Sequence, residues 1–214
     1  MAFILNKVSS IANHFLAELR DAEIQRDSMR FRKNMERLGE IFAYEISKTF
    51  SYTKTDFETS LGTASVEVLN DLPVLATILR AGLPLHQGLL NYFDKSDSAF
   101  ISAYRKTTKG HDFIIKMEYL SAPSLNEKIV IIADPMIATG QSMVLSCKEL
   151  LAQYQIKELH IVGVIATKIG LDHVRANLPK AKLWIGAIDE ELTTKSYIVP
   201  GLGDAGDLAY GPKE

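Results

Sequence analysis

Ile129-Val130-Ile131-Ile132-Ala133-Asp134-Pro135-Met136-Ile137-Ala138-Thr139-Gly140-Gln141-Ser142 decides how this chain is read. A β-branched apolar run ends in an Asp. A short stretch of small and hydroxylated residues follows. Met143 to Leu151 then resumes an apolar stripe at helical spacing. The pattern predicts a buried strand, a loop and a helix N-terminus. Such a loop gathers backbone N–H groups, hydroxyls and the positive helix end around one anion. Thr139 and Ser142 can donate to phosphate oxygens, and Gly140 permits close backbone approach. Asp134 can face a ribose hydroxyl or a metal-bound water. The alternative is an ordinary βα turn with a Ser N-cap. A P-loop is excluded, because no Lys lies between Asp134 and Ser142.

Working outward, strands and helices alternate. Val74–Leu79, 100–104, Ile129–Ala133, 159–166 and 182–188 read as strands. Residues 85–93, 143–154 and 171–178 read as helices. Alternation of this kind predicts an α/β fold, a mainly parallel central sheet flanked by helices. Residues 8–48 read as helical, with Met35, Leu38, Phe42 and Ile46 as a core or interface stripe. They form an N-terminal helical arm (1–50) on one domain spanning 1–214. Residues 51–71 suggest an edge hairpin.

Composition narrows the function. With 214 residues and 47% hydrophobic content the chain can bury a full core. A net charge of −2 argues against a nucleic-acid-coating surface. No apolar run is long enough for a membrane span. Residues 1–7 lack a basic stretch leading into a sustained apolar run, so no signal peptide is expected. The one cysteine, Cys147, fits a reducing cytoplasm and a core packing role.

Three further motifs fall at strand ends or in the tail, where α/β sheets bind ligands. Ile78-Leu79-Arg80-Ala81-Gly82 puts an Arg after a strand, as a surface charge or a bidentate diphosphate partner. Ala103-Tyr104-Arg105-Lys106 opens a basic segment, 106–116, readable as a solvated hairpin or a mobile lid. Tyr197-Ile198-Val199-Pro200-Gly201-Leu202-Gly203-Asp204-Ala205-Gly206-Asp207 contains G-x-G-x-x-G. A dinucleotide site is rejected, since the pattern must lie within a βαβ unit.

Taken together these motifs resemble the uracil phosphoribosyltransferases, of the type I phosphoribosyltransferase family. Asp134-Pro135-Met136-Ile137-Ala138-Thr139-Gly140 is similar to their ribose-5-phosphate loop, with Pro135 in place of the wider family's second acidic residue. Arg80 is similar to their diphosphate-loop Arg, in a loop that often holds a strained peptide. Tyr104-Arg105 resembles the start of their catalytic loop. Residues 197–214 resemble their base-binding tail. His14-Phe15-Leu16, Arg30-Phe31-Arg32, Tyr44-Glu45 and Ile188-Asp189-Glu190 extend the similarity along the chain.

The resemblance implies a pentosyltransferase of pyrimidine salvage that converts uracil and 5-phosphoribosyl 1-diphosphate (PRPP) to UMP and diphosphate. It implies catalytic roles for Arg105, Asp134 and Asp204. PRPP would meet Arg80, Arg105, Asp134, Pro135, Met136, Ile137, Ala138, Thr139, Gly140, Gln141, Ser142 and Asp204. Uracil would meet Ile198, Gly203, Asp204 and Ala205, largely through main-chain groups. Mg²⁺ would be held mainly by substrate and water, near Asp204, and no residue is expected as a firm metal ligand. The partners implied are small molecules, with a homodimer or higher homo-oligomer and no nucleic acid or membrane. A nucleotide-sensing regulator on the same fold is the alternative. Gln141, residues 106–116 and Leu208-Ala209-Tyr210-Gly211 depart from the family pattern.

Overall fold

A computed structural model describes the backbone of residues 2–107 and 113–213, and the side chains of these outside 103–118. The strands are β1 (Phe3–Ile4), β2 (Tyr52–Thr59), β3 (Gly62–Leu69), β4 (Val74–Leu79), β5 (Ser98–Thr107) and β6 (Phe113–Ser121). They continue as β7 (Ile129–Ala133), β8 (Met136–Ile137), β9 (Glu158–Thr167), β10 (Lys182–Asp189), β11 (Glu191–Leu192) and β12 (Ile198–Val199). The helices are α1 (Ile11–Arg20), α2 (Ser28–Ser47), α3 (Leu83–Tyr92), α4 (Gln141–Gln153), α5 (Lys168–Asn177) and α6 (Ala205–Tyr210).

The main sheet runs β1-β10-β9-β7-β4-β5-β6, with β8 also pairing β9. Every pairing is parallel except β5 with β6. Helices cover both faces. Leu16, Leu19, Phe31, Met35, Leu38, Phe42, Leu85 and Leu89 pack on one side with Ile131, Val162 and Trp184. Met143, Val144, Cys147, Leu150, Leu171 and Val174 pack on the other with Val130, Ile132 and Ile161. β7 is buried at all five positions, as a strand between two helical layers must be. Cys147 lies wholly in this core, and burial pushes its thiol up to about 12.

The stretch 8–48 is two helices rather than one. The Asp27 carboxylate accepts from the N–H groups of Met29 and Arg30 and so starts α2 afresh. The stripe Met35, Leu38, Phe42, Ile46 is fully buried, which makes it core within this chain. The expected hairpin is β2–β3, a two-stranded sheet that pairs with no other strand among the described residues. Within the basic segment 106–116, Lys106–Thr107 pair with Phe113–Ile114 as antiparallel strand, a hairpin arm. Lys109 and His111 lie outside the described residues.

The chain runs from β4 outward to β5 and β6, then returns to place β7 on β4's other side. The order therefore reverses between β4 and β7, and an open α/β sheet binds ligands beyond the strand ends at such a point.

Candidate active site

β4 and β7 are in register at Thr77 and Ala133, so Arg80 and Asp134 leave adjacent strand ends. The turn after β4 is tight. A Cβ at Gly82 would stand 2.7 Å from the Ile78 carbonyl and 2.9 Å from that of Ala133. A cis peptide of this loop falls between Leu79 and Arg80.

The segment after Asp134 is less of a free loop than its sequence suggests. Met136–Ile137 pair with β9, and the Pro135 carbonyl accepts from the N–H groups of Val164 and Ile165. The Ala138 carbonyl accepts from the Thr167 hydroxyl at 2.6 Å. Gly140, at φ 74°, caps α4. That left-handed residue is the N-cap, where an ordinary βα turn was expected to place a serine. Ser142 instead sits in the first turn and lines the cleft. The Gln141 N–H donates to Thr139 Oγ1 at 3.4 Å.

A cleft of about 560 Å³ opens over these elements, lined by Ala81, Met136, Ala138 and Ser142 on the sheet side. Gly203, Asp204, Ala205 and Gly206 line it from the tail. The structure thus brings together the phosphate-type loop, the Arg80 loop and the tail. Not every residue of the motifs faces in. Pro135 and Ile137 are buried, Ile137 against Gly163 of β9. Ile198 is also buried, so its side chain belongs to the core and only its main chain is left for a ligand. The Arg105 backbone lies in β5, paired with Ile115, and its side chain lies outside the described residues.

The carboxylates differ in environment. Desolvation raises the Asp134 carboxyl to about 7, against a hydrogen bond from the Met136 N–H that favours its ionised form. Asp204 caps α6, its Oδ1 accepting from the N–H groups of Gly206 at 2.9 Å and Asp207 at 3.0 Å. That cap leaves out the Ala205 N–H, one residue earlier. Beyond the bonds described, each carboxylate has a second oxygen, the hard donor type that Mg²⁺ takes. Among the described residues no three His, Cys, Asp or Glu side chains cluster as a metal cage.

Sequence reasoning missed what holds the tail. Arg20 grips Asp189 through two bonds of 2.8 and 2.7 Å and donates to the Gly201 carbonyl at 2.9 Å. Asp189 also accepts from the Gly201 N–H at 2.8 Å. Desolvation works to raise the Asp189 carboxyl, but the bonds from Arg20 and Gly201 prevail and hold it below its ordinary value. Arg32 donates to the Ala209 carbonyl at 2.7 Å. Arg80 Nη2 donates to Asp207 Oδ1 at 3.1 Å and to the Gly211 carbonyl at 3.2 Å. Lys195 and Lys213 line the cleft as well, cations that no motif singled out.

The family model described as uracil phosphoribosyltransferase matches residues 7–212. A uracil phosphoribosyltransferase of Porphyromonas gingivalis is 51% identical over 205 residues, 95% of each chain. One from Methanococcus maripaludis is 40% identical over 92% of this chain and 84% of its own. The solved structure of the AQ2163 protein from Aquifex aeolicus is similar at a TM-score of 0.87 and 28% identity, covering 99% of this chain and 98% of that one. With its cleft assembled from the Asp134 loop, the Arg80 turn and the glycine-rich tail, the chain belongs to the uracil phosphoribosyltransferase family.

Proposed function

We propose that this chain is a pentosyltransferase of pyrimidine salvage that joins uracil to the phosphoribosyl group of PRPP, releasing diphosphate and leaving UMP. The observation that carries this reading is the convergence of three distant segments on one cleft. The turn from Ala138 to Ser142 offers its N–H groups, hydroxyls and the α4 N-terminus to the 5-phosphate. Asp134, at the adjoining strand end, faces the ribose, where its charge favours a cation-like C1. Arg80 and Arg105 take the diphosphate as it departs. The main chain of Ile198 and of Gly203 to Ala205 presents fixed donors and acceptors to the uracil edge, with Asp204 beside the ribose. No residue need act as a covalent nucleophile, because positioning and preorganised charge supply the acceleration. A Mg²⁺ bound through substrate, water and the Asp204 side would neutralise diphosphate charge.

The test is UMP formation from labelled uracil and PRPP, with orotate, cytosine and hypoxanthine as competitors. Uracil-selective product supports the reading. A folded protein that binds nucleotide without turnover supports a sensing role instead.

We also place the protein in the cytoplasm as a homo-oligomer. No helix among the described residues is long and apolar enough to cross a membrane. The β2–β3 hairpin exposes Tyr52, Phe57, Leu61 and Val66 and pairs with no other strand among the described residues. A two-stranded hairpin alone is marginal in water, so a second copy is the cover we assign. Sedimentation of Phe57→Lys against wild type tests it, with a shift toward monomer expected.

A further inference from the structure

Arg80 has two claims on it. The proposed function gives its guanidinium to diphosphate, whereas in the structure Nη2 serves the tail, through Asp207 Oδ1 and the Gly211 carbonyl. The side chains are 36% and 40% exposed, so an anion from the cleft side can reach the pair. Arg80 Nε, meanwhile, is buried with no hydrogen-bond partner among the described residues. A buried unpaired donor is costly, so this placement satisfies the tail and leaves the guanidinium undersatisfied. A diphosphate carries several anionic oxygens and can engage an Arg edge by two parallel bonds. Asp207 supplies one.

We propose that Asp207 is a positioning residue that competes with diphosphate for Arg80 and thereby sets how tightly the diphosphate end of the substrate is held. The proposal rests on the assignment of Arg80 to diphosphate. It also links two subsites. Asp207 and Gly211 bracket the last turn of α6, and the N-cap of the same six-residue helix is Asp204, beside the main chain assigned to uracil. Transfer of Arg80 to diphosphate frees one end of that helix while its other end meets the base.

Calorimetric titration of the full chain with magnesium diphosphate tests this. Asp207→Asn removes the competing charge at constant size and should tighten diphosphate binding about two- to fivefold, the worth of a half-exposed ion pair. The KM for PRPP should fall in proportion. Asp207→Ser is a second variant with the same expected direction. Arg80→Ala should weaken binding, and adding Asp207→Asn to it should change nothing further. Unchanged or weaker binding in both Asp207 variants, with Arg80→Ala weakened, overturns the competition and leaves Arg80 as the diphosphate ligand. Unchanged binding in Arg80→Ala overturns that assignment itself. An Asp207 with only a structural role would shift the melting temperature and leave the diphosphate affinity of both Asp207 variants at the wild-type value, which also overturns the proposal.

Discussion

The turn from Asp134 to Ser142 and the tail from Tyr197 to Gly211 both offer main chain to the cleft, but they are built in opposite ways. The first is bounded by a strand and a helix adjacent in sequence, β7 and α4, with Gly140 making the turn between them. The second is fastened by residues far away along the chain. Arg20, Arg32 and Arg80 bond to it across separations of 181, 177 and 127 residues. It is also core, since Ile198, Leu202, Ala205 and Ala209 are all buried. The phosphate-type loop is thus held by its flanking elements and by β9, the next strand along the chain, while the tail is held by residues far back in the chain. Damage to the two should look different.

The largest effect expected is from truncation before Gly201. A tail placed after the last strand reads as dispensable for folding; the structure says otherwise. Truncation removes buried Leu202, Ala205 and Ala209 and strips Asp189 of its Gly201 partner. Loss of well over about 5 kcal/mol follows from a deleted core leucine and disruption of a buried polar network, comparable to a whole domain's stability. Circular dichroism should show an unfolded or molten chain, and a cooperative melt near wild type would mean the tail is not core.

Asp189→Ala attacks the same fastening from the other side. It leaves Arg20 and the Gly201 N–H without their acceptor, at a cost of about 2–4 kcal/mol. Urea unfolding should register the loss, with uracil affinity falling alongside it. Stability lost without any change in uracil binding would separate the fastening from the base site.

Ala205→Pro separates the tail's two jobs. Ala205 is the first residue of α6, a position that accepts proline because its N–H is not needed by the helix. The fold should therefore survive while the one N–H meant for uracil is lost, weakening uracil binding by about 1–3 kcal/mol. Calorimetry with uracil beside a non-reactive PRPP analogue reads this, and wild-type affinity would put the base elsewhere.

Asp134→Asn should damage turnover severely and yet stabilise the fold. The folded carboxyl titrates near 7, above its unfolded value, because burial disfavours the charge. The folded state therefore holds the proton more tightly, and the wild type loses stability as pH rises from about 4 toward 7. Asn avoids that loss, so at pH 7.5 the variant should gain about 1–3 kcal/mol, discounted for partial exposure. The gain should vanish near pH 4. Melting curves at both pH values check the sign, and a variant destabilised at pH 7.5 would refute it. Val199→Ile should do least, within about 0.5 kcal/mol by thermal melting, because Val199 is exposed in β12.

Much of the sheet was legible. The predicted bounds Val74–Leu79 and Ile129–Ala133 are those of β4 and β7, because strands buried on both faces are continuous apolar runs with sharp polar ends. The break between α1 and α2 was not read, although its signal, the capping Asp27, was present; the apolar periodicity on either side hid it. The sequence marks the residues near Asp134 as a group, but not which of them turn toward the cleft. Pro135 and Ile137 are turned inward by pairing with β9, a strand that begins more than twenty residues later. Arg20 and Asp189 carried no signal as a pair, since nothing local marks a contact 169 residues long.

The alternation of strand and helix, the turn after Asp134 and the tail's glycine pattern are written in short stretches of the chain. These depend on hydrophobic period and backbone freedom, which act over a few residues. That Arg80 holds Asp207, that Arg20 and Asp189 hold Gly201, and that the tail belongs to the core emerges only in the closed fold. Those outcomes depend on which strand ends the sheet order brings side by side, and on which buried charges then meet a partner. Sheet order and charge partnership are long-range properties, set when the whole chain closes around its core rather than in any stretch of it.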